Sequence, residues 1–193
     1  MDNLPGYLPG LITILLLTSF VKVFTSLSIL RHGIGLEGHG FGIVVLGISL
    51  ALALLVCTPE LNKIGGPGVI FGATRPNTSE IELAFRPFLE KNTDQKLRGD
   101  LSALVAKRGS SDPESLGLLV GSFLLTELKE AFQLGFMILI PFLVIDLLVA
   151  NALTALGVTQ LSQGAVSLPI KLLVFVGVNG WALLAGKIIG SYQ

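Results

Sequence analysis

Between Glu127 and Lys171 the chain is hydrophobic enough to lie in a bilayer, yet charges are set into it. Glu127, Lys129 and Glu130 open a largely apolar segment, Asp146 interrupts it after Pro141, and Lys171 stands near the start of the next apolar run. A charge at the bilayer centre costs roughly 2.5 to 3.5 kcal/mol on insertion scales, so such residues usually face a protein interior or a polar cavity. Any fold this sequence adopts must supply these side chains with partners.

With 51% hydrophobic and 13% charged residues and a mean hydropathy of +0.78, the composition is that of an integral membrane or membrane-assembly protein. A formal net charge of zero gives no long-range field that would attract nucleic acid. The single Cys57 ends an apolar run and reads as a small core hydrophobe; it cannot form an internal disulfide, so the redox compartment is not legible. The stretch Met1-Asp2-Asn3-Leu4-Pro5-Gly6 has neither a basic n-region nor a small-residue cleavage pattern, and the first hydrophobic helix is expected to direct insertion itself.

Hydropathy divides the chain into two helical pairs around a polar middle: residues 1–59, 60–115 and 116–193. The expected class is all-α, two hairpins of long, kinked hydrophobic helices with a small helical domain between them. The first hairpin runs roughly over 11–30 and 41–58, joined by the glycine-rich turn from Gly33 to Gly40. Residues 60–115 hold sixteen of the twenty-six charges. There Leu97, Leu101, Leu104 and Val105 follow an amphipathic helical spacing, and Ser79-Glu80-Ile81-Glu82 fits a capping box. Asp112-Pro113 fits a helix start. The pattern from Leu116 to Leu156 stays helical over about 60 Å, twice the ~30 Å hydrocarbon core. A kink or break is therefore expected at Pro141, with a joint near Glu127-Leu128-Lys129-Glu130. The last segment is expected from about Ser167-Leu168-Pro169 to Ile189.

On the first helix Thr18, Lys22, Thr25 and Ser26 fall within about a third of the circumference, which suggests a subunit contact or a water-lined wall. The alternative is hydroxyls bonded back to the helix and a snorkelling lysine. Gly117-xxx-Gly121 and Gly186-xxx-Gly190, with Gly177 and Gly180 between, are spaced for close helix packing. His32, His39 and Glu37 make an incomplete metal set, so no metal or cofactor is expected. The Gly35-to-Gly42 run lacks the lysine and hydroxyl of a phosphate loop. Asn77-Thr78-Ser79 is formally a glycosylation sequon, and Asp146 has no second membrane aspartate for a protease dyad.

Several longer words are specific. Thr18-Ser19-Phe20-Val21-Lys22, Leu30-Arg31 with Gly35, Thr126-Glu127-Leu128-Lys129-Glu130-Ala131-Phe132-Gln133-Leu134-Gly135-Phe136, Ile140-Pro141-Phe142-Leu143-Val144-Ile145-Asp146-Leu147, Ala155-Leu156-Gly157, and Ser167-Leu168-Pro169-Ile170-Lys171-Leu172 with Gly180-Trp181 stand in an order and spacing that closely resemble the FliP/SctR family over nearly the whole chain. That resemblance implies a core subunit of a type III secretion export gate, flagellar or injectisome. It also implies a pentamer of sister copies, joined by FliQ/SctS-like, FliR/SctT-like and FlhB/SctU-like subunits. Unfolded proteins would pass through its channel, at the bacterial inner membrane within the basal body.

The resemblance implies no enzymatic activity. It puts the middle domain on the periplasmic side, where the eight Lys/Arg of residues 60–115 would by themselves lean toward the cytoplasm. From it Glu127 and Lys171 are expected to pair between subunits, and Thr18, Lys22, Thr25, Ser26 and Asp146 to line an interface or vestibule. Family members often carry consecutive methionines after the Ala-Leu-Gly word; here Val158, Thr159 and Gln160 stand there, and the expected constriction is Val158, Thr159, Gln160 and Leu161 without a methionine gasket. An ordinary surface loop is the alternative. Small secondary transporters and structural membrane scaffolds are the competing classes; the two hairpins share no internal repeat of the kind the first would show.

Overall fold

In the computed structural model, residues 17–36, 38–69, 78–107, 115–158 and 160–192 are described. They form seven α-helices and no strand: α1 Phe20–Ile34, α2 His39–Asn62, α3 Thr78–Lys91, α4 Gln95–Ala106, α5 Leu116–Ala155, α6 Gln163–Gly177 and α7 Gly180–Gly190, with a 3-10 turn at Pro67–Val69. The expected all-α class holds.

Glycines in the left-handed region close two of the long helices. At the end of α1, Gly35 (φ 97°) donates its N–H to His32 O (3.0 Å), and Leu36 N–H reaches back to Arg31 O (3.0 Å). At the end of α5, Gly157 (φ 67°) bonds Thr154 O (3.1 Å), and Val158 bonds Leu153 O (3.0 Å). Both are Schellman closures, which satisfy terminal carbonyls and favour glycine because a Cβ is strained at positive φ. α2 runs past Pro59 to Asn62, four residues beyond the expected end; Leu61 O then accepts from Ile64 (3.0 Å) and Gly66 (2.8 Å).

Pro141 does not end α5, whose forty residues run through it from Leu116 to Ala155. A proline removes one backbone donor, but in an apolar setting no water compensates a wider rupture, so the helix continues across it. The break falls instead between α6 and α7, whose axes differ by 61°. Asn179 there adopts φ 53°, a conformation asparagine tolerates better than most residues. The helix start expected at Asp112-Pro113 lies outside the described residues; Ser115 Oγ accepts from Leu118 N–H (3.4 Å) at the start of α5.

The chain gathers into two compact units that interleave along the sequence, because α1, α2 and α5 each run through both. This division cuts across the sequential one read from hydropathy. In the unit of residues 1–23 and 50–130, α3 buries Ile81, Ala84, Phe85, Phe88 and Leu89, spaced three and four apart on one face. The Phe88 ring packs 5.9 Å from Phe123 of α5. Asp94 caps α4 through the amides of Lys96 (3.0 Å) and Leu97 (3.4 Å), while its own N–H bonds Thr126 Oγ1 (3.0 Å). The apolar spacing expected in α4 exists, yet none of its residues is buried.

In the unit of residues 24–49 and 131–193, α1 and α5 pack through reciprocal glycines. A Cβ on Gly33 would meet Leu139 Cδ1 at 2.8 Å and Phe142 at 3.3 Å, and one on Gly135 would collide with Ile29. At the α6–α7 bend Gly180 makes room for the Phe175 ring, which stands edge-on to Trp181 at 5.2 Å. The glycines expected to mediate packing, Gly117, Gly121, Gly177, Gly186 and Gly190, face open space; Gly180 alone of that set is closely packed. Spacing along one helix does not show that a second helix faces it.

Candidate functional site

Lys22 of α1 lies in the first unit, with its side chain only 3% exposed. It is an ion-pair partner of Glu127 Oε1 at 3.7 Å, itself 1% exposed, and hydrogen-bonds Glu130. These carboxylates stand three residues apart on α5, so one turn presents both to the lysine. Thr18, four residues before Lys22, is buried as well. Charges of this kind are tolerated in an apolar interior only when paired, because an uncompensated ion costs several kcal/mol.

Lys171 occupies an analogous place in the second unit. Its Nζ bonds Asp146 Oδ2 at 2.6 Å and Gly33 O at 2.9 Å. Gly33 lies in the last turn of α1, where carbonyls lack helical partners, so the lysine ties that helix end to α5 and α6 at once. Gln163, the first residue of α6, donates to Asp146 O (2.8 Å). Ser26 Oγ donates to Ala131 O across the same unit (3.4 Å), and Thr25 is half-buried.

Within one chain, therefore, Glu127 and Lys171 are not paired with each other: they belong to different units and each has its own partner. Of the residues expected to line an interface or vestibule, Thr18, Lys22 and Ser26 are buried inside the chain and Asp146 is taken up by Lys171. The Asp146–Lys171 pair escaped sequence reasoning, although a signal existed. These are the only two Asp, Glu, Lys or Arg residues between 131 and 186.

The loop between α5 and α6 is held at both ends, by the Gly157 closure and by Ser162, whose Oγ accepts from Ala165 N–H at 3.3 Å. Gln160 and Leu161 are exposed and Val158 is half-buried; Thr159 lies outside the described residues. At the surface of the first unit, Lys129 bonds Asp94 at 2.8 Å, and this contact, then the Leu97 amide, holds the Asp94 carboxyl below its usual range. Among the described residues no three His, Cys, Asp or Glu side chains form a group that could hold a metal.

Among the described residues two helices, Gly40–Asn62 and Leu116–Ala155, are long and apolar enough to cross a membrane, and the bent α6–α7 pair makes a third if it counts as one span. Ile43, Leu55, Phe136, Met137, Leu147 and Leu148 stand exposed on them. An apolar surface this extensive is covered by lipid or by protein.

A family model described as the FliP family matches residues 7–188. The chain is 33% identical over 188 residues to the virulence protein YscR of Salmonella typhimurium, covering 91% of this chain and 87% of that one. It is 33% identical over 201 residues to the flagellar biosynthetic protein FliP of Caulobacter vibrioides (96% and 76%). Similarity to the hypersensitivity response secretion protein HrcR of Ralstonia nicotianae is 30% over 196 residues (93% and 89%).

Proposed function

This chain belongs to the FliP family, and on that premise we propose that it is a core subunit of a type III secretion export gate. The observation that carries the reading is the family match over residues 7–188, with relatives named for flagellar biosynthesis, virulence and secretion. The exposed apolar faces of α2 and α5 support it, since a subunit of a membrane-level assembly leaves such faces for its neighbours.

The finer reading is a pentamer of this chain, completed by FliQ/SctS-like, FliR/SctT-like and FlhB/SctU-like subunits, in the bacterial inner membrane within the basal body. It conducts unfolded export substrates and carries out no chemistry of its own. Residues 1–59 and 116–193 are the two hairpins of the channel wall, and 60–115 the peripheral domain. Val158, Thr159, Gln160 and Leu161 form the constriction.

The Glu127–Lys171 contact between subunits takes the form of a partner exchange. If Lys171 turns to a neighbour's Glu127, Lys22 keeps Glu130, and Asp146, a quarter exposed, can be solvated. No buried charge is then stranded, which is the condition such an exchange must meet. Thr25 and Asp146 then line the wall that neighbouring copies approach, with Thr18, Lys22 and Ser26 buried behind it.

Co-expression with the sister subunits, followed by mass measurement and conductance of the purified complex, tests the reading. A multi-copy assembly that is closed at rest and opened by loop deletion is expected. A stable monomer that transports a small solute would refute the export role, and an assembly with no conducting state would leave a scaffold.

A further inference from the structure

At the break between α6 and α7 the backbone is held loosely. Asn179 stands at φ 53° and ψ 47°, in the left-handed region, and no side-chain hydrogen bond caps α7 there. Val178 N–H still reaches Val174 O (3.0 Å) and Asn179 N–H bonds Val176 O (3.0 Å), but the next donors, Ala182 and Leu183, both turn to Asn179 O (3.0 and 3.2 Å). Between them the N–H groups of Gly180 and Trp181 open α7 with no acceptor from α6 among the described backbone bonds. A continuous helix would give them Val176 O and Gly177 O. The bent form thus leaves two amide donors, one on the buried Gly180, without their helical bonds, and side-chain packing must hold it.

Phe175 supplies that packing. Its buried ring occupies the place a Cβ on Gly180 would need, stands 5.2 Å from Trp181 and lies 6.4 Å from Phe142 of α5. Beside it, within the same unit, is a cavity of about 250 Å³ walled by Phe175 itself with Pro141, Phe142, Val178, Gly180 and Leu184. A cavity of roughly 150 Å³ takes a benzene molecule, so this one has room for the Phe175 ring. Pro141, on the facing wall, lacks the N–H that would bond Met137 O, so α5 is weakest where it meets the break. Packed interiors leave few voids of this size. This one lies where the ring that holds the bend must go if α6 and α7 straighten.

We propose that Val178-Asn179-Gly180 is a hinge on which α6 swings away from α5 when cargo passes, the Phe175 ring moving into the cavity as α6 and α7 become collinear. The cargo step rests on the export reading above. Hinges of this kind place the change of φ and ψ in a few residues at element ends. α7 keeps its place through Leu184 and Ile188, both buried. α6 is held to α5 by polar contacts, from Lys171 and Gln163 to Asp146, which water or a neighbouring subunit's polar groups can replace. A permanent elbow is the competing account.

The test measures the distance between spin labels at Gly164→Cys and Gly190→Cys, exposed positions facing open space at the far ends of α6 and α7, in a Cys57→Ser background. With the axes at 61° these positions stand about 34 Å apart, and in one straight helix about 39 Å. In the complete complex, with labelled chains diluted among unlabelled ones, the resting state should give the short distance, and an export substrate stalled by a folded domain should add the long one. Asn179→Gly is relaxed at positive φ and a poor helix former; Asn179→Ala is strained there and the best helix former. The two should differ by about tenfold in the ratio of bent to straight, read on the purified full chain as well as in the complex. A single short distance in both variants refutes the hinge, whatever the role of the chain. A ratio that responds to Asn179 but not to the stalled substrate refutes the cargo step and leaves the export reading standing. If no complex assembles while the variants still differ, the export reading fails, and the cargo step with it.

Discussion

Breaking the Asp146–Lys171 pair from either side should cost different amounts, and the difference follows from burial. Lys171 has a side chain 6% exposed, against 25% for Asp146. In Asp146→Leu the ammonium keeps only Gly33 O, 2.9 Å away, and stays inside; an uncompensated buried charge of this kind costs about 3–5 kcal/mol. In Lys171→Met the carboxylate can turn to solvent, and the loss is nearer that of one charge-assisted bond, about 1.5–3 kcal/mol. The double variant Asp146→Leu/Lys171→Met removes both ions and keeps the packing, so it should lie within about 1–2 kcal/mol of the parent. The coupling between the two sites should then exceed about 2 kcal/mol. Chemical denaturation of the purified single chain in detergent, followed by helical circular dichroism, measures all four corners of the cycle. Additive effects, with coupling below about 0.5 kcal/mol, would refute the reasoning. The same cycle with Glu127→Gln in place of Asp146→Leu, read as yield of the assembled complex, tests the exchange between subunits; no coupling there sinks it.

Gly135→Ala should destabilise by about 1–3 kcal/mol because Ile29 already fills the space of the new methyl, whereas Gly186→Ala, facing open space, should be neutral or mildly stabilising in the isolated chain; melting temperatures compare the two. Deleting Val158 to Leu161 should leave assembly intact and raise resting conductance in planar bilayers, and unchanged closed conductance would place the constriction elsewhere. Asp94 is held below its ordinary value of 3.8, so its contribution is complete above that pH and fades as pH falls through the lower, folded value. Asp94→Asn should therefore lower stability most in the neutral region and converge with the parent below about pH 4, flattening the acid limb, which titration of unfolding midpoints would show.

The fold class was legible because hydropathy and helical spacing agree over most of the chain, and several of the family words mark places where geometry is demanding. Gly157 closes α5, Gly35 closes α1, and Gly180 admits the Phe175 ring. What could not be read was which helix faces which. The packing glycines, Gly33 and Gly135, sit on different helices, so no spacing rule along one helix selects them. At Pro141 the helix is not interrupted, because in an apolar setting no solvent takes up the freed groups and neighbouring turns must satisfy them. The partners of Lys22 and Lys171 lie 108 and 25 positions away in sequence, and only the tertiary arrangement chooses them. The Asn179-Gly180 step did carry a signal for the bend, since both residue types tolerate unusual backbone angles.

The short tether between α5 and α6 limits how any gate built from it can work. With Val158 N–H bound to Leu153 and Ser162 capping α6, only the three positions 159–161 lie between the two closures. Chain geometry allows at most ~3.5 Å per residue, so such a loop, going out and returning, reaches less than about 10 Å from the helix ends. A ring of these loops can therefore trim an aperture but cannot draw back far from it. To admit a wider cargo the ends of α5 and α6 must themselves separate, and Gln163, bound to the Asp146 carbonyl, is the link that such a movement must stretch first.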